Sequence, residues 1–235
     1  MEKQSRLVVG RTELRVPVGD NELVYVLPAV GRGSYLSVGR EILNSNLMVP
    51  TGELTAPFVR ELYCGELRDK PQLVDARGIV RTRWLPVYQV NSHGFDGLFS
   101  VQDETVEGLA KIMDRGALRQ ELDGGFEHRR VRFSKNGKVA FAPRGSYFFG
   151  EMTPDELAKD GAMIAQYKPE GARLLAEASA SLPNKPISYG IDIQEGQDAV
   201  IRVSTLNDNV GRLHFGGSDF DDVDGGGCAF PVSAQ

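Results

Sequence analysis

Long hydrophobic runs are missing from this sequence of 235 residues. Leu23 to Val30 is one of the longest apolar stretches, and Pro28 interrupts it; a helical membrane span needs roughly 18–20 apolar residues, so no membrane partner is expected. Cysteine is almost absent. Cys64 and Cys228 lie far apart and form no C-x-x-C pair, which in a reducing compartment makes both small buried hydrophobes. Histidine is as scarce: His93, His128 and His214 show no zinc-ligand spacing, and no G-x-S-x-G elbow is present. Each therefore reads as a polar residue on a strand or loop. The first residues, Met1 to Arg6, lead into a strand-like Leu7-Val8-Val9 with no uninterrupted apolar segment or small-residue cleavage site, so a cytoplasmic location is expected. The one tryptophan, Trp84, alternates with Arg83 and Arg81 in an expected strand, and core packing accounts for it.

What is present is ordinary for a globular protein. Hydrophobic residues make up 41% and charged residues 25%, which excludes collagen-like, disulfide-scaffold and wholly disordered chains. The length suits one large domain or two small ones. The net charge of −5 is unevenly spread. From Asn184 to Gln235 three basic residues stand against eight acidic ones, so this last fifth holds all of the excess. Glu127 to Tyr147 has six basic residues and one acidic.

Periodicity orders the chain. Glu13 to Leu27 alternates about Gly19-Asp20-Asn21 and reads as a hairpin. Leu54, Phe58, Val59, Leu62 and Tyr63 recur at helical spacing, with Pro57 tolerable only in a first turn. Ile79 to Val90 is rich in β-branched and aromatic residues and leads through Asn91 to Gly94 into a second strand at Leu98–Val101. Asp103 caps an expected helix with the stripe Val106, Leu109, Ile112, Met113 and Leu118, stopped at Asp123-Gly124-Gly125. Val131 to Ala142 is two alternating runs about Asn136-Gly137, a type I′ hairpin signal that pairs Phe133 with Ala140 and Arg132 with Phe141. Thr153-Pro154-Asp155-Glu156 is a capping box with proline at the first helical position. That helix breaks at Lys168-Pro169 and a second runs to Leu182. Beyond it, Ser188–Gln194, Ala199–Leu206, Arg212–Phe215 and Cys228–Val232 read as strands. The mixed order predicts an α+β fold with largely antiparallel sheets and about four helices, as one composite domain over residues 1–235, the alternative being a sub-core split near residue 150. Arg-Gly-Ser-Tyr occurs at 32–35 and again at 144–147 without matching flanks, a coincidence unless the loops superpose.

Several segments carry a resemblance. Leu47-Met-Val-Pro-Thr-Gly-Glu-Leu-Thr-Ala-Pro-Phe-Val, Gly97-Leu-Phe-Ser-Val-Gln-Asp, Gly150-Glu-Met-Thr-Pro-Asp-Glu-Leu-Ala-Lys, Glu170-Gly-Ala-Arg-Leu-Leu-Ala-Glu and Arg212-Leu-His-Phe-Gly-Gly to Cys228-Ala-Phe-Pro-Val resemble a family of uncharacterised conserved proteins from small-genome archaea. The resemblance implies an archaeal cytosolic protein. It carries no activity and no catalytic residue.

Two segments suggest chemistry. Asp219, Asp221, Asp222 and Asp224 fall in one glycine-rich loop, where mutual repulsion is relieved either by solvent or by a hard cation such as Ca²⁺ or Mg²⁺. An EF-hand alignment fails, because it puts Phe220 at the first ligand position and Pro231 at the last. The second segment is the basic hairpin. Its expected register sets Arg130, Arg132 and Ser134 on one face with Val139 and Phe141; with Lys135, Lys138 and Arg144 it forms a candidate surface for a polyanion or nucleic acid, Phe141 stacking a base. The plain alternative is a solvated face with arginine stems over apolar neighbours, and the pI near 5.3 favours it. Docking of the acidic C-terminal segment on this face is a third reading. Gly31 to Gly39 precedes an expected helix but matches no phosphate-loop spacing. The expected function is a cytosolic binding or structural protein. The alternative is a metal-dependent enzyme acting on a phosphorylated or nucleotide-like substrate, with the aspartates on metal and the hairpin arginines on phosphate.

Overall fold

β1 (Arg6–Val8) pairs antiparallel with β2 (Glu13–Val18), and β2 with β3 (Asn21–Val26) across the tight turn at Gly19-Asp20. The turn needs glycine, because Gly19 sits at φ +57°. These coordinates come from a computed structural model, which describes residues 5–8, 13–112, 114–219 and 226–233. β4 (Val30–Gly33) leads into α1 (Tyr35–Asn44), where the Ser34 hydroxyl accepts the Ser37 N–H at 3.3 Å as N-cap. β5 (Leu47–Met48), α2 (Gly52–Cys64) and α3 (Pro71–Thr82) follow. A long hairpin, β6 (Leu85–Gly94) and β7 (Gly97–Gln102), then leads through a 3₁₀ turn at Gly108–Lys111 to α4 (Arg115–Glu121). β8 (Phe126–His128), β9 (Val131–Phe133) and β10 (Val139–Pro143) form a meander. β11 (Gly150–Glu151) precedes α5 (Pro154–Leu157) and α6 (Gly161–Ala180). The chain ends in β12 (Ile187–Ser188), β13 (Val200–Asp208), β14 (Leu213–Ser218), β15 (Gly227–Ala229) and β16 (Val232–Ser233).

Among the described residues the strands form a nine-stranded sheet ordered β11-β12-β14-β13-β6-β7-β10-β9-β8, a five-stranded sheet ordered β1-β2-β3-β16-β5, and the pair β15-β4. β12 and β14 run parallel and the other pairs antiparallel. The fold is thus α+β with mostly antiparallel sheet, and no described helix is long and apolar enough to cross a membrane.

Six α-helices stand among the described residues where about four were expected. α3 replaces the start of the expected Ile79 strand: Leu73, Ala76 and Val80 are all buried at helical spacing, which outweighs the β-branched content of its last turn. Trp84 accordingly lies between a helix and a strand, half-buried. α2 begins at Gly52, so Pro57 sits in the second turn rather than the first, leaving the Glu53 carbonyl without its helical donor. The helix expected from Val106 to Leu118 is divided. Val106 takes φ +57°, Asp103 caps only the 3₁₀ turn, accepting from the Glu107 and Gly108 N–H groups at 2.9 and 2.8 Å, and Asp114 starts α4 afresh. Residues 189–194 carry no strand. The two Arg-Gly-Ser-Tyr segments differ, since Gly33 ends β4 whereas Gly145 takes φ +82° in a turn.

The capping box forms as expected, with the Thr153 hydroxyl accepting the Glu156 N–H and the Glu156 carboxylate accepting the Thr153 N–H at 2.6 Å. It starts a single turn, because Asp160 opens α6 by accepting the Ala162 and Met163 N–H groups, both at 3.0 Å. α6 breaks at Lys168, φ +65° and ψ 165°. That conformation is almost confined to glycine and costs roughly 1–3 kcal/mol for another residue.

Alternation along the nine-stranded sheet supplies two cores. Leu85, Val87, Leu98, Phe133 and Phe215 share one with Phe58 and Leu62 of α2 and Ile164 and Tyr167 of α6. Tyr88, Val90, Phe99 and Val203 share the other with Tyr35, Val38 and Ile42 of α1 and Leu118 of α4. Both cores draw on residues from either side of residue 150.

Two glycines separate close packing from propensity. A Cβ on Gly52 would overlap the Gln166 carbonyl oxygen of α6, whereas one on Gly78, exposed in α3, meets nothing within 4 Å. Gly52→Ala is expected to destabilise by about 2–3 kcal/mol and Gly78→Ala to stabilise by about 0.5–1 kcal/mol. Urea midpoints measure both, and an unchanged midpoint for Gly52→Ala contradicts the close crossing of α2 and α6.

Candidate binding cleft

The basic hairpin has the expected pairing, Phe133 with Ala140 and Arg132 with Phe141, but not the expected turn. Only Gly137 is left-handed, at φ +71°. The Gly137 N–H donates to the Ser134 carbonyl at 2.8 Å, and Asn136 Oδ1 accepts the Lys138 N–H at 2.9 Å. The loop is four residues, Lys135 to Lys138, and gives the same register as a two-residue turn because both share one centre. Its predicted open face is covered. Val139 is 2% exposed and packs in the core that includes Leu118 and Leu122, while the Phe141 ring lies 4.7 Å from that of Phe99 with the Arg119 guanidinium 5.7 Å away.

Three of the six basic side chains between Glu127 and Tyr147 pair with carboxylates of the chain. Lys138 pairs with Glu104 at 2.5 Å, and Arg132 lies 3.8 Å from Asp123. Arg144 reaches Asp192 and the Ile193 carbonyl, both at 2.8 Å, and its guanidinium sits 5.0 Å from the Phe95 ring centroid. Arg130, at φ +69°, donates to the Gly145 carbonyl at 3.4 Å. Among the described residues Arg129, Arg130 and Lys135 have no ion pair. Asp192 of the C-terminal segment thus meets Arg144, and Asp219 turns to Arg202 instead of the hairpin. Of the acidic loop, Asp219 is exposed and pairs with Arg202 at 2.7 Å. Asp221, Asp222 and Asp224 lie outside the described residues. Among the described residues no group of three His, Cys, Asp or Glu side chains is placed to hold a metal ion.

A different part of the surface is concave. An open cleft of about 720 Å³ lies between the end of β2, α2 and the second half of α6. The sequence builds each wall locally. Along α2, Phe58, Leu62 and Tyr63 face the core, and Glu61 sits on the same stripe, its side chain 1% exposed. Its Oε2 accepts the Ser5 hydroxyl at 2.9 Å and lies 3.6 Å from Arg60, while Oε1 has no hydrogen-bond partner. The carboxylate occupies the space that a side chain at residue 65 would fill, which only Gly65 leaves free.

Along α6, Glu170, Arg173 and Glu177 are spaced three and four residues apart and form a ladder. Arg173 donates to Glu170 at 2.5 and 2.9 Å and pairs with Glu177. These hydrogen bonds hold the Glu170 carboxyl below its ordinary value. Arg60 bridges the helices, reaching Glu177 at 3.4 Å. Val16, Pro17, Val18, Pro57 and Leu174 supply apolar lining, and Glu66 and the half-buried Cys64 complete it. Burial pushes the Cys64 thiol up.

Compared with known proteins, the chain matches no family, no curated protein and no solved structure.

None of the cleft's charged residues stands out as a motif. The legible signal was a glutamate at position 61 on an otherwise apolar helical stripe, with glycine four residues on. That α2 and α6 bring Arg60 to Glu177 depends on the helix crossing.

A second, smaller cleft of about 450 Å³ is lined by Arg144, Tyr147, Phe148, Phe149 and Asp192. Beside it His93 is 6% exposed, its ring 6.0 Å from that of Phe149 and its Nδ1 without a partner. Burial, aided by Arg202 and Arg115, pulls its pKa down to about 4. The unfolded chain takes up this proton near pH 6.5, so the contribution of neutral His93 is complete above pH 6.5 and is lost as pH falls toward 4. The total is roughly 3 kcal/mol. Asp160, raised to about 6 by burial, has the opposite sign in the same range. His93→Gln is therefore expected to flatten the acid side of the stability curve, read as the difference between the two proteins in urea unfolding at pH 7 and pH 5. Parallel curves contradict a buried neutral His93.

Proposed function

We propose that this chain is a binding protein of the cytoplasm whose ligand enters the cleft between β2, α2 and α6. One observation carries the reading: the cleft is lined by a buried carboxylate, Glu61, that keeps one oxygen without a donor. A buried polar atom left unpaired costs about 1–3 kcal/mol, and a ligand that displaces the Ser5 hydroxyl and brings more than one donor to the carboxylate recovers it. The surrounding ion pairs hold Arg60 and Arg173 in place before any ligand arrives, which reduces the ordering cost of binding. The competing reading, a metal-dependent reaction on a phosphorylated substrate, has less support. Lys138, Arg144 and Arg132 already face carboxylates of the same chain. The resemblance to conserved archaeal proteins adds no activity to either reading.

Cys64 is a built-in reporter, because it lines the cleft while Cys228 is buried elsewhere, its thiol 3.1 Å from the Gly31 carbonyl. Alkylation by iodoacetamide is measured by peptide mass spectrometry with spermidine, arginine, inorganic phosphate or ATP present at millimolar concentration. At least one of these is expected to slow modification of Cys64 severalfold and leave Cys228 unchanged. Equal modification of Cys64 in all four overturns the cleft as a binding site.

A further inference from the structure

The charge balance of the cleft narrows its ligand. Among the described residues of the lining, two arginines, Arg60 and Arg173, stand against four glutamates, Glu61, Glu66, Glu170 and Glu177, an excess of two negative charges. Each arginine already has two of these carboxylates as partners: Arg173 has Glu170 and Glu177, and Arg60 has Glu61 and Glu177. The charge of both is thereby met within the chain. The spare acceptor capacity lies on Glu61, whose Oε1 has no partner, and on exposed Glu66, which has no ion pair among the described residues. Both sit at the end of α2, where the helix C-terminus adds its own negative potential.

A compact divalent ion suits this arrangement poorly, because the carboxylates do not converge: no described group of three is close enough to coordinate one. The acids are strung out instead. Glu170 and Glu177 are separated by seven residues of one helix, about 10 Å, and Val16, Val18, Pro57 and Leu174 line the space between the helices and β2. Separated carboxylates with apolar surface between them match separated ammonium groups joined by methylenes.

We propose that the cleft binds an aliphatic dication of the diamine or polyamine class, one ammonium replacing the Ser5 hydroxyl at Glu61 Oε2 and sharing its further donors with the carboxylate, and the apolar lining covering the methylene chain. This rests on the reading of the cleft as a binding site. Ser5 acts as a neutral place-holder, its hydroxyl satisfying one carboxylate oxygen without balancing the charge. An ammonium group has three donors and does both.

Isothermal titration calorimetry on the full chain tests this with 1,4-diaminobutane, spermidine and the monoamine butylamine. The diamine and spermidine are expected to bind, and butylamine at least about tenfold more weakly for want of the second charge-assisted contact. Glu61→Gln and Glu66→Gln are each expected to weaken spermidine about tenfold. Glu66 is exposed, so its variant reports on charge without disturbing the buried carboxylate. Affinity that is equal for butylamine, or unchanged in Glu66→Gln and in a normally melting Glu61→Gln, overturns the proposal. Protection of Cys64 by inorganic phosphate with none by spermidine overturns the ligand class and leaves the cleft a binding site. Protection by neither, nor by the other probes, overturns both.

Discussion

Where α2 crosses α6, Gly52 lies against the Gln166 carbonyl oxygen and Gly171 against Ala56, at a spacing that only small residues allow. Much of the molecule depends on this approach. It presses the first half of α6 onto the nine-stranded sheet, where Gln166 Oε1 accepts from Asn91 Nδ2 at 3.1 Å and from the Ser204 hydroxyl at 2.7 Å. The break at Lys168 then redirects the helix, so that Glu170, Arg173 and Glu177 face Arg60 rather than the sheet. The strain at Lys168 is offset in part by its ammonium group, 4.9 Å from the Phe133 ring centroid. Burial draws the pKa of that group down to about 8.

Polar groups inside the molecule fix which elements meet. Asp103 is fully buried and accepts the Tyr35 hydroxyl at 3.0 Å, joining α1 to the end of β7. Asp208 accepts the Tyr63 hydroxyl at 2.9 Å and Arg81 Nε at 3.1 Å, joining α2 and α3 to β13. Burial chiefly, and then these carboxylates, push both tyrosine hydroxyls far above their ordinary pKa. A hydrogen bond of this kind contributes a modest net free energy, but removing one partner strands the other in a low-dielectric interior. The two aspartates therefore act mainly by excluding alternative packings.

The surface charges follow a weaker logic. A surplus of positive charge in one segment and negative charge in another invites a docking surface, yet Arg144 is met by Asp192, Lys138 by Glu104 and Arg202 by Asp219. Exposed pairs like these contribute between nothing and about 1 kcal/mol each. Their effect here is on recognition: they neutralise Arg132, Lys138 and Arg144, while Arg129, Arg130 and Lys135 keep their charge without an ion pair among the described residues.

Local chemistry in the sequence determined the pieces whose causes lie within a few residues. The β2–β3 hairpin, the capping box at Thr153, the break at Lys168-Pro169 and the hairpin register about Asn136-Gly137 depend on turn geometry, caps and alternation, and they fold as read. The tertiary structure decided what depends on burial. Ile79 to Thr82 became helix because Leu73, Ala76 and Val80 could bury one face together. Val139 turned from an open face into a core, with Phe141 packed against it, because α4 covers them, and Glu61 became a half-satisfied buried carboxylate because Ser5, Arg60 and Gly65 lie around it. Side-chain burial is set by residues distant in the chain, and neither periodicity nor charge counts contain which helix will lie over which strand.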